Sequence, residues 1–135
     1  MSPKIILIED DINQREALQA WLELDGFQVW SAASAEAFYK QAVVNSFDLA
    51  IVDLGLPGED GLELIEYLRR HLQIIVIVLT ARTSAGDRIK AAELQVEHYL
   101  VKPLMLEDLS AIIKAEWQKK YYEQNKGEPR PWQLY

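Results

Sequence analysis

Four short groups of residues in this chain are equipped for chemistry. Glu9-Asp10-Asp11 follow one apolar run, Asp53 follows another, Thr80 ends a third, and Lys102-Pro103 follow a fourth. If these runs are neighbouring buried strands, several carboxylates, one hydroxyl and one ammonium meet at a single edge. Carboxylates gathered there are costly unless a cation or a lysine neutralises them. Three oxygen donors suit Mg²⁺, which keeps several waters and readily shares its shell with a phosphate. An ionised Asp53 oxygen is then a nucleophile able to form an acyl phosphate. Mg²⁺ and Lys102 would offset the charge building on a transferring phosphoryl group, and Thr80 could hydrogen-bond the product. No general base is needed, because a carboxylate is already ionised at neutral pH.

Each residue also has an ordinary reading. Glu9, Asp10 and Asp11 could be acids at a helix N-terminus, favoured by its dipole. Asp11 suits that role, but a cap needs only one acid. Asp53 could be a turn residue before Leu56-Pro57-Gly58. Lys102 could lie on the surface, although a cis bond before Pro103 would let the turn aim it at the carboxylates. Thr80 alone is uninformative. Tyr99 reads as a half-buried strand aromatic, and His71 and His98 as surface residues.

The elements that must position these groups are five apolar runs. They are Ile5-Ile6-Leu7-Ile8, Phe27-Gln28-Val29-Trp30, Leu49-Ala50-Ile51-Val52, Ile74 through Leu79, and Tyr99-Leu100-Val101. The first, third and fourth do not alternate, which marks strands buried on both faces of a parallel sheet. Helical patterns fill the gaps. Asp11 with Gln14 forms a capping pair ahead of Leu18, Trp21 and Leu22, and Gly26 ends that helix. Ser34 precedes Phe38, Tyr39 and Ala42. Asp60-Gly61 precede Leu62, Ile65 and Leu68. Ser84 precedes Ile89, Ala92 and Val96. Leu106, Leu109, Ile112, Ile113 and Trp117 make the last face. No internal repeat is present. The order is βα five times, an α/β fold with helices on both faces of a five-stranded parallel sheet in the flavodoxin-like order 2-1-3-4-5. In such sheets the site lies outside the carboxyl ends of the strands, where strand order reverses.

Composition narrows the classes. Half of the 135 residues are apolar, which suits one globular domain with its own core. No apolar run approaches the roughly 18 residues of a membrane span, and Met1-Ser2-Pro3-Lys4 do not open a secretory signal. With no cysteine, disulfides, thiolate metal sites and cysteine nucleophiles are excluded. A cytoplasmic protein is the simplest expectation. The net charge is −7, divided into −9 over residues 1–118 and +2 over 119–135. The acidic body repels nucleic acid and suits a hard cation, or simply keeps the chain soluble. Residues 1–120 read as the domain. From Tyr121 to Pro131 the chain reads as a linker, and Trp132-Gln133-Leu134-Tyr135 either form a frayed tail or begin a second domain.

The motifs Ile6-Leu7-Ile8-Glu9-Asp10-Asp11, Asp53-Leu54-Gly55-Leu56-Pro57-Gly58, Leu79-Thr80-Ala81 and Tyr99-Leu100-Val101-Lys102-Pro103 are each weak alone. In this order, at these strand ends, they are specific. Across residues 4–118 the chain resembles the response-regulator receiver domain of two-component systems. The resemblance implies that Asp53 accepts a phosphoryl group from the phosphohistidine of a sensor histidine kinase. It implies Mg²⁺ held by Glu9, Asp10, Asp53 and the backbone carbonyl of Gly55. It also implies a switch in which Thr80 moves toward the phosphate and Tyr99 turns inward behind it. Such a domain is a phosphoacceptor switch that catalyses its own phosphorylation and dephosphorylation, not an enzyme acting on other substrates.

Within that family the chain is similar to the OmpR/PhoB group. The resemblance lies in Ala81-Arg82, Asp87-Arg88-Ile89-Lys90, Lys102-Pro103 and the tail, where Trp132-Gln133-Leu134 resemble the first strand of a winged-helix DNA-binding domain. This implies transcription control through a C-terminal domain and a homodimer formed on phosphorylation through helix 4, strand 5 and helix 5. On that face Arg88 would meet Asp108, and Glu93 would meet Lys114. The chain departs from the group where Leu94-Gln95-Val96-Glu97-His98 replace a small Gly-Ala step and acids. It departs again at Ile112, where arginine is common, so His98 and Ile112 form no ion pair. Gly55 replaces a bulkier residue and leaves the site open to water.

Other readings fit less well. A phosphatase of the haloacid dehalogenase type needs a second aspartate two residues past the nucleophile, where Gly55 stands. A flavin or nucleotide carrier needs a glycine-rich phosphate loop after the first strand, where the acids stand. A stand-alone receiver, or one with a non-DNA output acting through protein contacts, is the alternative to transcription control.

Overall fold

The structure, a computed structural model, describes residues 2–124. Its elements alternate as β1 (Lys4–Ile8), α1 (Ile12–Leu24), β2 (Gln28–Ala32), α2 (Ala35–Ala42), β3 (Leu49–Val52), α3 (Gly61–His71), β4 (Ile75–Thr80), α4 (Ala85–Glu93), β5 (His98–Val101) and α5 (Leu106–Gln124). The strands form one parallel sheet in the order β2-β1-β3-β4-β5, as the apolar pattern predicts. Register aligns Ile8 with both Ala32 and Val52, and Val52 with Val78. The residues that follow these strands therefore emerge side by side.

The unbroken apolar runs have a physical reason in the two layers. Ile6, Ile8, Ala50, Val52, Val76 and Val78 face a core built with Phe38 of α2 and Leu64, Ile65 and Leu68 of α3. Their neighbours Ile5, Leu7, Leu49, Ile51, Ile75, Ile77 and Leu79 face Leu22 of α1 and Leu109 and Ile113 of α5. Successive side chains of a strand point to opposite faces, so a sheet covered on both sides needs apolar residues at both. Among the described residues no helix is long and apolar enough to cross a membrane.

Four expectations need correction. β2 starts at Gln28 and not at Phe27, because the Phe27 amide donates to Leu22 O in the turn after α1 and the ladder begins with Lys4 opposite Gln28. In α4 the buried residue is Ala91, while Ile89 and Ala92 are exposed. This helix buries a single residue, a thin face, so its periodicity is weak. α5 continues through Tyr121–Gln124, where a linker was expected, since no glycine or proline occurs before Gly127. The expected linker beyond Gln124 and Trp132-Gln133-Leu134-Tyr135 lie outside the described residues. Finally, His98 is half-buried and its Nε2 lies 2.9 Å from Glu116 Oε1, whereas His71 is exposed and its ring lies tilted against that of Tyr67.

Candidate phosphoacceptor and metal site

Asp53 sits one residue past β3, held in place by its own backbone, whose amide donates to Ile8 O at 3.0 Å. Its approach to α3 is close. A Cβ built on Gly61 would lie 2.6 Å from Leu54 Cα and 2.7 Å from Asp53 O, so only glycine fits. Asp60 caps α3 by accepting from the Leu62 amide at 2.8 Å. Together these contacts hold the loop from Asp53 to Asp60 against the sheet end.

The residues singled out in the sequence converge here. One ligand oxygen each from Glu9, Asp10 and Asp53 lies within 4.8 Å of the others. Lys102 follows β5, across a cis peptide to Pro103. Its Nζ donates to Glu9 Oε1 at 2.5 Å, Gln14 Oε1 at 2.7 Å and Asp53 Oδ2 at 2.8 Å. Thr80, fully buried at the end of β4, donates its hydroxyl to Asp53 Oδ1 at 2.9 Å. The Gly55 amide donates to the same oxygen at 3.0 Å. Tyr99 packs against the core of the α2–α3 layer, and its hydroxyl donates to Arg82 O at 2.7 Å.

These contacts separate the two acids that Lys102 bridges. Burial would push the Asp53 carboxyl up, but hydrogen bonds from Lys102 and the Gly55 amide, the Lys102 charge and the Thr80 hydroxyl hold it below its ordinary value. Burial dominates at the more enclosed Glu9, whose carboxyl is raised despite hydrogen bonds from Lys102 and the Asp11 amide; the Asp53 charge adds to the rise. Burial disfavours the Lys102 ammonium, and the hydrogen bonds to Asp53 and Glu9 more than reverse this, so Lys102 is held protonated. Asp53 is therefore an ionised carboxylate beside a fixed cation. The donor set, three carboxylates with no sulfur or imidazole, fits a hard divalent cation such as Mg²⁺.

Three residues of the site were not singled out for it from the sequence. Gln14 pairs with Asp11 in capping α1 as expected, its backbone amide donating to Asp11 Oδ1. Its side chain, however, accepts from Lys102, and the Asp11 amide goes to Glu9 Oε2. Arg15 donates to the carbonyls of Glu9 and Asp10. Arg82 binds Leu54 O, Asp60 and Asp87. The contacts of Gln14 with Lys102 and of Arg82 with Leu54 and Asp60 join positions far apart in the chain, which no spacing rule links.

The residues expected on a dimer face are all exposed: Arg88, Glu93, Asp108 and Lys114. Arg88 lies over the Tyr99 ring, 5.2 Å from its centroid. Lys114 is drawn to the α1 side, 3.2 Å from Asp25, so an ion pair with Glu93 of a second copy has a competitor within the chain.

Residues 5–114 match the family model of the response regulator receiver domain. The chain is 36% identical over 126 residues to the transcriptional regulatory protein GltR of Pseudomonas aeruginosa, covering 91% of this chain and 52% of that protein. It is 36% identical over 111 residues to the KDP operon transcriptional regulatory protein KdpE of Escherichia coli, covering 82% and 49%. These relatives are OmpR/PhoB-type regulators, and the chain spans about half the length of each. Among solved structures, a receiver domain from Methanospirillum hungatei superposes with a TM-score of 0.85 at 25% identity, covering 91% of this chain and 99% of that one. The BeF3-activated receiver domain of Klebsiella pneumoniae RstA does so with a TM-score of 0.78 at 26% identity, covering 83% and 96%.

Proposed function

The chain belongs to the response regulator receiver domain family, and on that premise we propose that Asp53 accepts a phosphoryl group from a sensor histidine kinase. The observation that carries this reading is the position of Lys102 Nζ, 2.8 Å from Asp53 Oδ2 and 2.5 Å from Glu9 Oε1. It supplies a fixed positive charge beside an ionised, partly enclosed carboxylate. In the transfer, an Asp53 oxygen forms the new bond to phosphorus and the bond from phosphorus to the donor nitrogen breaks. The nitrogen leaves with its electron pair, and the product is an acyl phosphate. Lys102 meets the negative charge of the transferring group. The Thr80 hydroxyl, which donates to Asp53 Oδ1, is within reach of a new phosphoryl oxygen.

Glu9, Asp10, Asp53 and the carbonyl of Gly55 would hold Mg²⁺, which when bound neutralises the phosphoryl oxygens and orients them. Gly55 carries no side chain over the site, which leaves water a route to the acyl phosphate. Residues 1–120 with the end of α5 form the switch. The residues beyond lead to an output domain of the winged-helix DNA-binding type, by analogy with the transcriptional regulators it resembles. Phosphorylation favours a homodimer through α4, β5 and α5, with Arg88 opposite Asp108 and Glu93 opposite Lys114. Exposed pairs of this kind are worth about 0–1 kcal/mol each, so they set register more than strength.

Incubation with Mg²⁺ and acetyl phosphate, followed by intact mass, tests the acceptor. The wild-type chain should gain the mass of one phosphoryl group and Asp53→Asn should not. Equal gain in both would refute the assignment. For the dimer, sedimentation with Mg²⁺ and beryllofluoride should show association, and a chain that stays monomeric at high concentration would remove that part of the proposal.

A further inference from the structure

Arg82 stands two residues past Thr80 and touches every part of the site's output side. Its amide donates to Thr80 Oγ1 at 3.2 Å, the same hydroxyl that donates to Asp53. Its carbonyl accepts from the Tyr99 hydroxyl. Its guanidinium reaches Leu54 O at 2.9 Å and Asp60 Oδ2 at 3.0 Å through Nη1. Nε and Nη2 fork onto the two oxygens of Asp87 at 3.0 and 2.7 Å. Asp87 lies in the first turn of α4, where its amide is capped by Ser84. Hydrogen bonds to Asp87 and Asp60 outweigh the burial of the guanidinium and keep it protonated.

We propose that Arg82 is the positioning residue that couples the chemical state of Asp53 to the N-terminal turn of α4. This inference rests on Asp53 as the phosphoacceptor. The route is continuous: the Asp53 carboxylate, the Thr80 hydroxyl, the Arg82 backbone, and then two branches. One branch is the Tyr99 hydroxyl and the other is the fork onto Asp87. A Thr80 hydroxyl drawn to a phosphoryl group shifts the acceptor of the Arg82 amide. The same residue then carries the shift to Tyr99 through its carbonyl, and to α4 through a guanidinium held taut by its contacts with Leu54 O, Asp60 and Asp87. The second tie, to Leu54 O and Asp60, senses the loop that follows Asp53 directly. A lysine here could not serve, since one ammonium cannot bridge Leu54 O, Asp60 and both oxygens of Asp87 in a planar fork.

The test uses the full chain with Mg²⁺ and beryllofluoride as the probe. Site occupancy is read by fluorine NMR, and hydrogen exchange is followed at the amides of residues 85–93. Arg82→Met, Arg82→Lys and Asp87→Asn are compared with wild type at matched occupancy. The probe-induced change in α4 exchange should fall at least about fivefold in all three variants, the lower end of ordinary coupling between sites. A residue that merely braced α4 would raise its exchange equally with and without the probe. An unchanged ratio in Arg82→Met and Asp87→Asn would therefore overturn the proposal, and Arg82→Lys keeps the test valid if the methionine variant folds poorly. A wild-type chain that binds no beryllofluoride would overturn the reading of Asp53, and this inference with it.

Discussion

Replacing Lys102 with methionine removes one ammonium and keeps most of the apolar stem. The ammonium makes three hydrogen bonds, two of them to carboxylates. The side chains involved are well enclosed, at 23% exposure for Lys102, 14% for Asp53 and 6% for Glu9. Removing one partner of a buried ion pair costs about 3–5 kcal/mol, and a hydrogen bond to a charged group about 1.5–3 kcal/mol. Because the site is open to water on one side, the lower part of that range applies, about 3 kcal/mol. With a urea slope of about 2 kcal/mol per molar, the unfolding midpoint should fall by about 1.5 M in EDTA. Adding Mg²⁺ should narrow the gap. A cation among Glu9, Asp10 and Asp53 replaces the lost charge, and in the variant it meets no competing ammonium. Urea unfolding with EDTA and with saturating Mg²⁺ measures both effects. A variant within about 0.5 kcal/mol of wild type in EDTA would refute the reasoning. So would a gap that Mg²⁺ leaves unchanged.

Gly61→Ala should destabilise the chain by about 1–3 kcal/mol by urea unfolding, because the new Cβ meets backbone atoms of Asp53 and Leu54 that cannot step aside. Gln95→Gly should stabilise it by about 0.5–1 kcal/mol, since Gln95 holds a φ of 58° in the left-handed region where a side chain is strained; thermal unfolding reads the gain. The fork from Arg82 is the main cause that holds the Asp87 carboxyl below its ordinary 3.8. A depressed folded value contributes stability above about pH 4 that is lost as pH falls through it. The stability difference between wild type and Asp87→Asn should therefore be constant near neutrality and shrink below pH about 4, as urea midpoints across pH will show.

The core strands and the acids that follow them are legible in the sequence because a doubly covered parallel sheet demands unbroken apolar runs. A polar residue ending such a run is conspicuous. Asp53, Thr80 and Lys102 are all found this way, and the structure brings them together. What stays hidden are contacts made by long side chains across the fold. Gln14 and Arg82 occupy ordinary helix and loop positions, and nothing local marks their partners at Lys102 and Asp60. The face of α4 misleads for another reason. Ile89 is the larger apolar residue, yet Ala91 is the one the chain buries, and Ile89 is left exposed on the surface proposed for dimer contact. Gln95 conceals its left-handed backbone because glutamine gives no turn signal.

The central claim is that Asp53, and no other acid of the cluster, carries the phosphoryl group. Borohydride reduces an acyl phosphate to an alcohol, turning a phosphorylated aspartate into homoserine and leaving free carboxylates unchanged. Peptide mapping of the chain after treatment with Mg²⁺ and acetyl phosphate, then borohydride, should find homoserine at position 53 only. Homoserine at Asp10 or Asp11, or unmodified aspartate at position 53 in a chain that has gained a phosphoryl group, would contradict the account.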